Sequence, residues 1–309
     1  MKRIFTIHLL VFCISLLLKS LDYDNIDKKV LNYPTTFSSI ESLSKLINKD
    51  FSDSVSRVRA IYTWLAVNIH YDRDKRRNMD YGYSYYERGW NSIYKTEKEF
   101  EYESSTKILL TKKGVCGEYA NLFKVLCEFC SIECVVISGT AKTAKDEIGK
   151  HPIQTDHAWN AVKIKDNWKL IDVTWTSNYY ESDSTIISKP LFNLYFFSEP
   201  VKFFTKHYPK SNKWLLIDKS PKEFAELPLF HNSYYFSEIE IVGPRKGIIK
   251  LTKDRLIKIV LKNSKDSRVS FKFSFEKTSK ALKPSLTNDL CIYETKLGNV
   301  IVNYLTIYI

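Results

Sequence analysis

The residues best suited to covalent chemistry in this chain are one cysteine, one histidine and one aspartate, which occur in that order. Cys116 stands in the segment GVCGEYA, His157 in DHAWN and Asp172 in LIDVTW. A thiol that ionises, an imidazole that accepts its proton and a carboxylate that holds the imidazole together make an activated cysteine nucleophile. The order and chemistry of these side chains predict an enzyme that transfers acyl groups.

Cys116 occupies the position at which a helix is predicted to begin. Gly114 interrupts the preceding helical pattern, and apolar residues share one face from Cys116 to about Cys130. The N–H groups in the first turn of a helix are unpaired and carry partial positive charge, so they favour thiolate over thiol. The N–H of Cys116 is also expected to stabilise a tetrahedral oxyanion. A buried, inert thiol is the competing interpretation, which the histidine and aspartate segments disfavour.

His157 is predicted to open a strand that runs to Ile164, with its ring on the same face as Trp159. An imidazole exposed there and directed at a helix N-terminus is placed to accept a thiol proton. A hydrogen-bonded structural histidine is the alternative. His151 is a competitor for the catalytic role, but His151-Pro152 predicts a loop.

Asp172 is expected to accept the imidazole N–H and so to fix the tautomer and orientation of the ring. A second strand, from Trp168 onward, is predicted after a turn at residues 165–167. If the loop consists of residues 166 and 167, Lys165 faces Trp168, and Asp172 lies about two residue pairs from His157 along the ladder. Contact then requires a bulge, strong twist or a diagonal reach. A strand-end aspartate without catalytic role is the alternative.

The elements that must position these residues indicate an α+β core. Two helices are predicted between residues 36 and 70, the second capped by Asp53. A charged, tyrosine-rich stretch without periodicity follows and predicts a flap or an insertion. The remaining predictions are helices at residues 105–112 and 116–130, strands at 135–138, 157–164 and 168–175, partial helix within 191–206 and a short terminal turn or helix at 223–228.

The character of the chain changes at about residue 232. Period-two alternation, as in SFKFSF, predicts strands with one buried face. The predicted strands lie at residues 239–241, 247–251, 256–262, 269–275 and 300–309. We therefore predict three regions: a signal peptide at 1–20, a cysteine-nucleophile domain at 21–231 and a small β-sandwich-like domain at 232–309.

The N-terminus predicts export. Lys2 and Arg3 precede an apolar run from Ile4 to Leu18, which has the length of a signal-peptide core and is too short to span a bilayer comfortably. A cleaved signal and a secreted or extracytoplasmic protein are the first interpretation, and an uncleaved membrane anchor is the alternative. No other segment is long and apolar enough to cross a membrane.

Removal of the signal leaves five cysteines, an odd number that in an exported protein indicates one reactive thiol. Cys116 is the natural one. The other four either form two disulfides or act as small buried apolar residues. Cys127-x-x-Cys130 lacks a second ligand pair at finger spacing, so neither a metal site nor a cofactor is predicted.

The net charge of +12 comes from 47 Lys and Arg against 35 Asp and Glu. Scattered surface lysine is the favoured explanation, since no long basic block or nucleic-acid motif is present, and nucleic acid is not a predicted partner. An anionic cell-surface polymer stays a candidate partner. The predicted substrate is a protein or peptide.

The three chemical segments resemble the signature blocks of the transglutaminase-like superfamily, which has a papain-related fold. Two further stretches resemble its kyphoscoliosis-peptidase-like branch: residues 59–72, RAIYTWLAVNIHYD, and residues 195–228, which include YFF, HYP, KW and LP. The resemblance covers about residues 36–230, and the C-terminal region resembles the β-rich extension of that branch more weakly.

The resemblance implies that Cys116 is the nucleophile, His157 the general acid and base, and Asp172 the orienting carboxylate. It also implies that the fold brings His157 and Asp172 together. The insertion at residues 73–104 departs from the family pattern and leaves the second oxyanion donor unassigned, with Trp90 a weak candidate. An acidic calcium loop like that of animal transglutaminases is absent from the sequence, so calcium dependence is not expected.

Three interpretations of function follow. An exported acyl-transfer enzyme forms a thioester on Cys116, which water resolves in a peptidase and a lysine amine resolves in a cross-linking enzyme. A catalytically silent protein-binding module keeps the groove without the reaction, and a cell-surface scaffold led by the β-domain is a third interpretation. His-dependent alkylation of Cys116 distinguishes an enzyme from a module.

Overall fold

The computed structural model describes residues 23–77, 96–188, 190–249, 251, 253–264, 269–273, 279–297 and 304–308. The predicted signal peptide and Trp90 lie outside these ranges. Cys13, which belongs to the predicted signal peptide and is one of the six cysteines of the sequence, also lies outside them. Within them, no helix combines the length and the hydrophobicity needed to cross a membrane. The described residues contain both helices and strands, which confirms the predicted α+β class.

The N-terminal half is helical and follows the predicted periodicity. Asp53 caps the third helix as expected, because its carboxylate accepts the N–H of Ser56 at 2.9 Å. Among the described residues, the first six helices are α1 Asp24–Leu31, α2 Ile40–Asp50, α3 Ser54–Asn68, α4 Arg73–Arg77, α5 Glu97–Thr111 and α6 Cys116–Phe129.

Helix α5 is longer than the predicted helix at residues 105–112, because it begins eight residues earlier. Thr96 and Glu99 form a reciprocal capping box at its start. The strongly polar first turns hid this helix from a search for apolar periodicity. The part of the predicted insertion that the structure describes is therefore helical, in α4 and the beginning of α5.

A five-stranded antiparallel sheet lies against the helices, in the order β6-β5-β4-β3-β7. Two short parallel strands, β1 His70–Tyr71 and β2 Lys113–Gly114, precede it. The five strands are β3 Cys134–Ala141, β4 His157–Ile164, β5 Asn167–Ile171, β6 Phe196–Ser198 and β7 His207–Pro209. The main core lies between helices α3 and α6 and one face of β4, with Trp64, Phe123 and Val162 fully buried.

The predicted second strand of the central hairpin is too long. It was expected to run to Trp175, but β5 ends at Ile171 and helix α7, Val173–Ser182, follows at once. Asp172 is the N-cap of that helix, and its side chain accepts the N–H of Trp175 at 3.1 Å. A capping aspartate competes with strand extension, which the β-branched and aromatic residues after it had favoured.

Short helices complete this half of the chain where partial helix was predicted. They are α8 Pro190–Asn193, α9 Pro200–Phe204 and α10 Pro221–Glu226. Each begins with proline, whose fixed φ suits the first helical position.

The C-terminal region forms two sheets around a separate apolar core that includes Leu261, Phe271 and Phe273. The sheet orders are β12-β13-β9-β8 and β11-β10-β14, as expected for a sandwich-like region. The strands are β8 Glu240–Gly243, β9 Leu256–Lys262, β10 Ser270–Phe273, β11 Lys280–Ala281, β12 Ser285–Thr287, β13 Leu290–Lys296 and β14 Leu305–Tyr308.

One strand prediction in this region was wrong, because residues 247–249 and 251 were expected to form a strand and are not in one. Strands β11, β12 and β13 were not predicted, although β13 has the longest ladder to β9. In the segment LCIYETK of β13, apolar and polar residues alternate only in part, so the sequence alone gives a weak signal for a strand. The proposed domain boundaries after residues 20 and 231 stay predictions.

Candidate active site

Cys116 is the first residue of helix α6, at the position predicted for it. The carboxylate of Glu118 accepts the N–H of Val115 at 3.0 Å, which holds the helix start in place. Lys75 of α4 in turn lies 2.7 Å from Glu118. The thiol is only 8% exposed and lies where the unpaired N–H groups of the first turn favour negative charge.

The surroundings of Cys116 favour the thiolate. Burial opposes ionisation, but a hydrogen bond with His157 and the charge of His157 outweigh it and lower the pKa of the Cys116 thiol. The charge of Arg76 and the main-chain N–H of Ala158 act in the same direction. A buried thiol that is nevertheless acidic is typical of a reactive cysteine rather than a structural one.

His157 is the first residue of β4 and is also buried, with 7% exposure. Its Nε2 lies 2.7 Å from Oδ2 of Asp172, which leaves Nδ1 for the hydrogen bond with Cys116. Burial lowers the pKa of His157, but the charge and hydrogen bond of Asp172, together with Cys116, raise it to about 10. The raised pKa of His157 and the lowered pKa of Cys116 both favour the imidazolium–thiolate pair over the neutral pair.

Asp172 is held by three kinds of contact at once. Oδ1 caps helix α7, Oδ2 accepts from His157, and its main-chain N–H donates to the oxygen of Tyr195 at 2.9 Å. Burial would raise the pKa of the Asp172 carboxyl, but His157 overcomes this by charge and hydrogen bond, with help from His207, and holds the pKa below its usual range.

The pairing of β4 with β5 differs from the predicted register. The loop consists of Lys165 and Asp166, so Lys163, not Lys165, faces Trp168. Extending this register places Asp172 opposite Trp159, two residues from His157 and on the same face, and the carboxylate reaches the imidazole diagonally. The diagonal contact considered in the sequence thus occurs, with a register irregularity between β5 and β6 at Leu170 and Ile171.

A second buried histidine, His207, was not predicted as a site residue. It lies on edge strand β7, and its Nε2 is 2.9 Å from the same Oδ2 of Asp172. Burial lowers the pKa of His207 to about 4, against the opposing effect of Asp172. The only signal in the sequence was its place in the HYP segment of the family resemblance, because no local pattern links β7 to β5.

The other candidates do not join this cluster. His151 is exposed in a loop. Four further cysteines of the described chain are buried and unpaired in the structure, in keeping with small apolar core residues: Cys127, Cys130, Cys134 and Cys291.

One group among the described residues has the geometry to hold a metal ion. The ligand atoms of His157, Asp172 and His207 all lie within 4.8 Å of one another. The two shortest separations, 2.7 and 2.9 Å, are hydrogen-bond lengths between ring nitrogens and one carboxylate oxygen. These contacts account for the cluster as a hydrogen-bonded array.

The chain is similar in sequence to a known family and to named proteins. A sequence model of the Transglutaminase-like superfamily matches residues 41–173, a span that contains Cys116, His157 and Asp172 but not His207. Kyphoscoliosis peptidase from Mus musculus is 28% identical over 201 residues, which cover 64% of this chain and 27% of that protein. The Homo sapiens protein of the same name is 29% identical over 204 residues, with the same coverage.

Among solved structures, the periplasmic domain of TgpA from Pseudomonas aeruginosa is similar to this chain. It is 15% identical, covers 56% of this chain and 53% of that chain, and has a TM-score of 0.28. The matched part of this chain spans about a quarter of the length of the two kyphoscoliosis peptidases.

Proposed function

Since residues 41–173 of this chain form a domain of the transglutaminase-like superfamily, related to the kyphoscoliosis-peptidase branch, we propose that the chain is a cysteine-dependent acyl-transfer enzyme. Its substrates are protein or peptide amides, and Cys116, His157 and Asp172 form the triad. The observation that carries the proposal is the 2.7 Å contact between His157 and Asp172 beside the helix start that holds Cys116, where His157 lowers the pKa of the thiol.

In the first half-reaction, the Cys116 thiolate attacks the carbonyl carbon of the amide. The C–N bond breaks, the proton on His157 Nδ1 passes to the departing amine, and a thioester remains on Sγ. The charge of Asp172 stabilises the imidazolium before this step and holds the ring in line with Sγ. The N–H of Cys116, in the first turn of α6, is one donor to the oxyanion.

In the second half-reaction, a nucleophile attacks the thioester and the C–S bond breaks. His157 takes a proton from the nucleophile and thereby returns to imidazolium, and the thiolate is restored. Water gives hydrolysis, whereas a lysine amine gives a cross-link. The name of the kyphoscoliosis peptidases favours hydrolysis for this chain.

The place of action belongs to the same proposal. The positive start and apolar run of residues 1–20 support export, and an exported protein with an excess of Lys and Arg over Asp and Glu meets anionic polymers at the cell surface. N-terminal sequencing of the protein recovered outside the cytoplasm tests this part, because retention in the cytoplasm with Met1 intact contradicts it.

The reactivity of Cys116 tests the enzyme itself. The rate of iodoacetamide labelling near neutral pH is measured by mass spectrometry for Cys116 and, as an internal reference, for Cys291. We expect rapid labelling of Cys116 that is lost in His157→Ala and kept in His151→Ala, since His151 is the exposed control. Slow labelling of Cys116 at a rate that His157→Ala does not change instead indicates a binding module without catalytic activity.

Capture of the acyl intermediate tests the reaction. The full chain is incubated with peptide amides, and the Cys116 peptide is searched for acyl adducts. A thioester on Cys116 that disappears with water, or forms an amide when a primary amine is added, supports acyl transfer. No adduct on a thiol that labels rapidly argues against peptide amides as substrates.

A further inference from the structure

His207 shares one carboxylate oxygen with His157. Their Nε2 atoms lie 2.9 and 2.7 Å from Oδ2 of Asp172, and the two rings are 5.5 Å apart, centroid to centroid. Since a carboxylate only accepts hydrogen bonds, both nitrogens must carry a proton. The family match ends at residue 173, so His207 comes from outside the matched span.

The charge state of His207 separates its role from that of His157. Burial lowers the pKa of His207 to about 4, and the charges of His157 and Lys206 add to that effect, so the ring is neutral near neutral pH. A neutral ring with a proton on Nε2 has a bare Nδ1, and this Nδ1 has no hydrogen-bond partner in the described part of the chain. His207 is therefore a donor to Asp172 and does not exchange protons with substrate.

Aromatic packing holds the ring in that orientation. The His207 ring stacks on Phe203 at 3.9 Å between centroids, with 17° between planes, and lies 4.4 Å from the ring of Trp175. Trp159 meets it edge-on at 5.1 Å. Because Trp175 also stacks on His157 at 5.4 Å, one indole supports both histidines.

Asp172 requires such a donor because it is completely buried. A buried carboxylate stays ionised only when hydrogen bonds and nearby charge compensate for lost water. His207 supplies a hydrogen bond from a ring that stays neutral above about pH 4, whereas His157 loses its positive charge when its Nδ1 proton moves during the reaction. Asp172 then keeps two neutral donors, the Nε2–H of His157 and the Nε2–H of His207, so the second hydrogen bond helps to compensate for the lost charge.

We propose that His207 is a positioning residue, which donates its Nε2–H to Asp172 and so keeps this carboxylate ionised and aimed at His157 throughout the reaction. This inference rests on the proposed function, because it assigns His207 to the same site. It makes β7, the last strand of the central sheet, part of the active site.

A matched pair of variants separates hydrogen-bond donation from packing. His207→Gln keeps a donor at about the reach of Nε2 without the ring, and His207→Phe keeps the ring without the donor. We expect His207→Phe to slow His157-dependent labelling of Cys116 by about tenfold, and His207→Gln to recover most of the rate. The acid limb of the pH–rate profile should shift to higher pH in His207→Phe only, because Asp172 then takes up a proton more readily.

The opposite pattern overturns the inference. If His207→Phe labels at the wild-type rate with an unmoved acid limb while His207→Gln is slow, the ring serves packing alone. If His157→Ala does not change the labelling rate of Cys116, the proposed function fails. The inference about His207, which rests on that function, then fails with it.

If a His207 variant does not fold, a measurement on the wild-type protein tests the inference instead. Nitrogen-15 NMR of the histidine rings should find His207 neutral, with the proton on Nε2 and a bare Nδ1, from about pH 5 to about pH 9. An Nδ1–H tautomer, or titration of His207 near its ordinary pKa, overturns the inference whatever the activity.

Discussion

Asn160 Nδ2 donates a hydrogen bond to the main-chain oxygen of Ala120 across 2.9 Å, and both residues are buried. Asn160 lies on β4, three residues after His157, and Ala120 lies on α6, four residues after Cys116. The same nitrogen also reaches the oxygen of Val135 on β3 at 3.2 Å. This amide therefore fixes the strand of the imidazole against the helix of the thiol.

Asn160→Leu is expected to lower the free energy of unfolding by about 1–3 kcal/mol, because it removes a buried donor. It should also slow Cys116 labelling, since the helix and strand lose their common anchor. Asn48→Leu is the matched control, because Asn48 donates to the oxygen of Phe129 at the other end of α6, at 3.1 Å. Equal losses of labelling in both variants contradict a specific role for Asn160.

Asp172→Asn is expected to slow labelling of Cys116 at neutral pH by roughly 10- to 100-fold, because the amide loses the charge that raises the pKa of His157. Thermal unfolding should change less than in Asp172→Ala, since asparagine still caps a helix and alanine does not. The labelling rate and the unfolding temperature are measured for both variants. A labelling rate in Asp172→Asn equal to wild type removes Asp172 from the site.

The stability of the protein should depend on pH through His157. Its pKa is raised from 6.5 to about 10 on folding, so the folded state binds the proton more tightly. The resulting stabilisation is fully present below about pH 6.5 and is lost as pH rises through about 10. The difference in unfolding free energy between wild type and His157→Gln, from denaturant titrations, should shrink over that interval. A difference that grows with pH has the wrong sign and refutes the raised pKa.

Gly139→Ala is expected to destabilise the sheet beside the two histidines. A methyl group there would clash with the main-chain oxygen of Tyr208 on β7 and come within 2.5 Å of the Trp159 indole. The main chain of β7 can move only a little to relieve this clash. We expect a loss of about 1–3 kcal/mol and slower Cys116 labelling, because β7 carries His207. Gly243→Ala is the control, because no atom of the described residues lies within 4 Å of its added methyl. Unchanged stability in Gly139→Ala contradicts the packing described.

Arg76→Gln is expected to raise the apparent pKa of Cys116, since the Arg76 charge contributes to lowering it. Its guanidinium also donates to the oxygen of Asp156, next to His157, at 2.9 Å. The shift should be smaller than that in Asp172→Asn and should weaken as salt increases. Arg73→Gln, which alters an exposed charge of the same helix, is the control for the pH–labelling profile. Equal shifts in the two variants indicate a general effect of net charge.

Local sequence signals located helix α6, which carries Cys116, and strand β4, which carries His157. The glycine before Cys116 and the apolar stripe after it fixed the start of α6, and β-branched and aromatic alternation fixed β4 from His157 to Ile164. Both signals depend on residues that are neighbours along the chain. The same reasoning failed at Asp172, where a capping side chain overrode the strand propensity of the residues that follow.

The sequence by itself determined the α+β class, the helix that begins at Cys116, the strand that begins at His157 and the order of three reactive side chains. Only the tertiary structure decided the register of β4 on β5, the diagonal reach of Asp172 and the contact of His207 with the same carboxylate oxygen. Helix starts and strand alternation follow from interactions within a few residues. Contacts across a sheet depend on strand order and register, which are set when distant segments pack into one core.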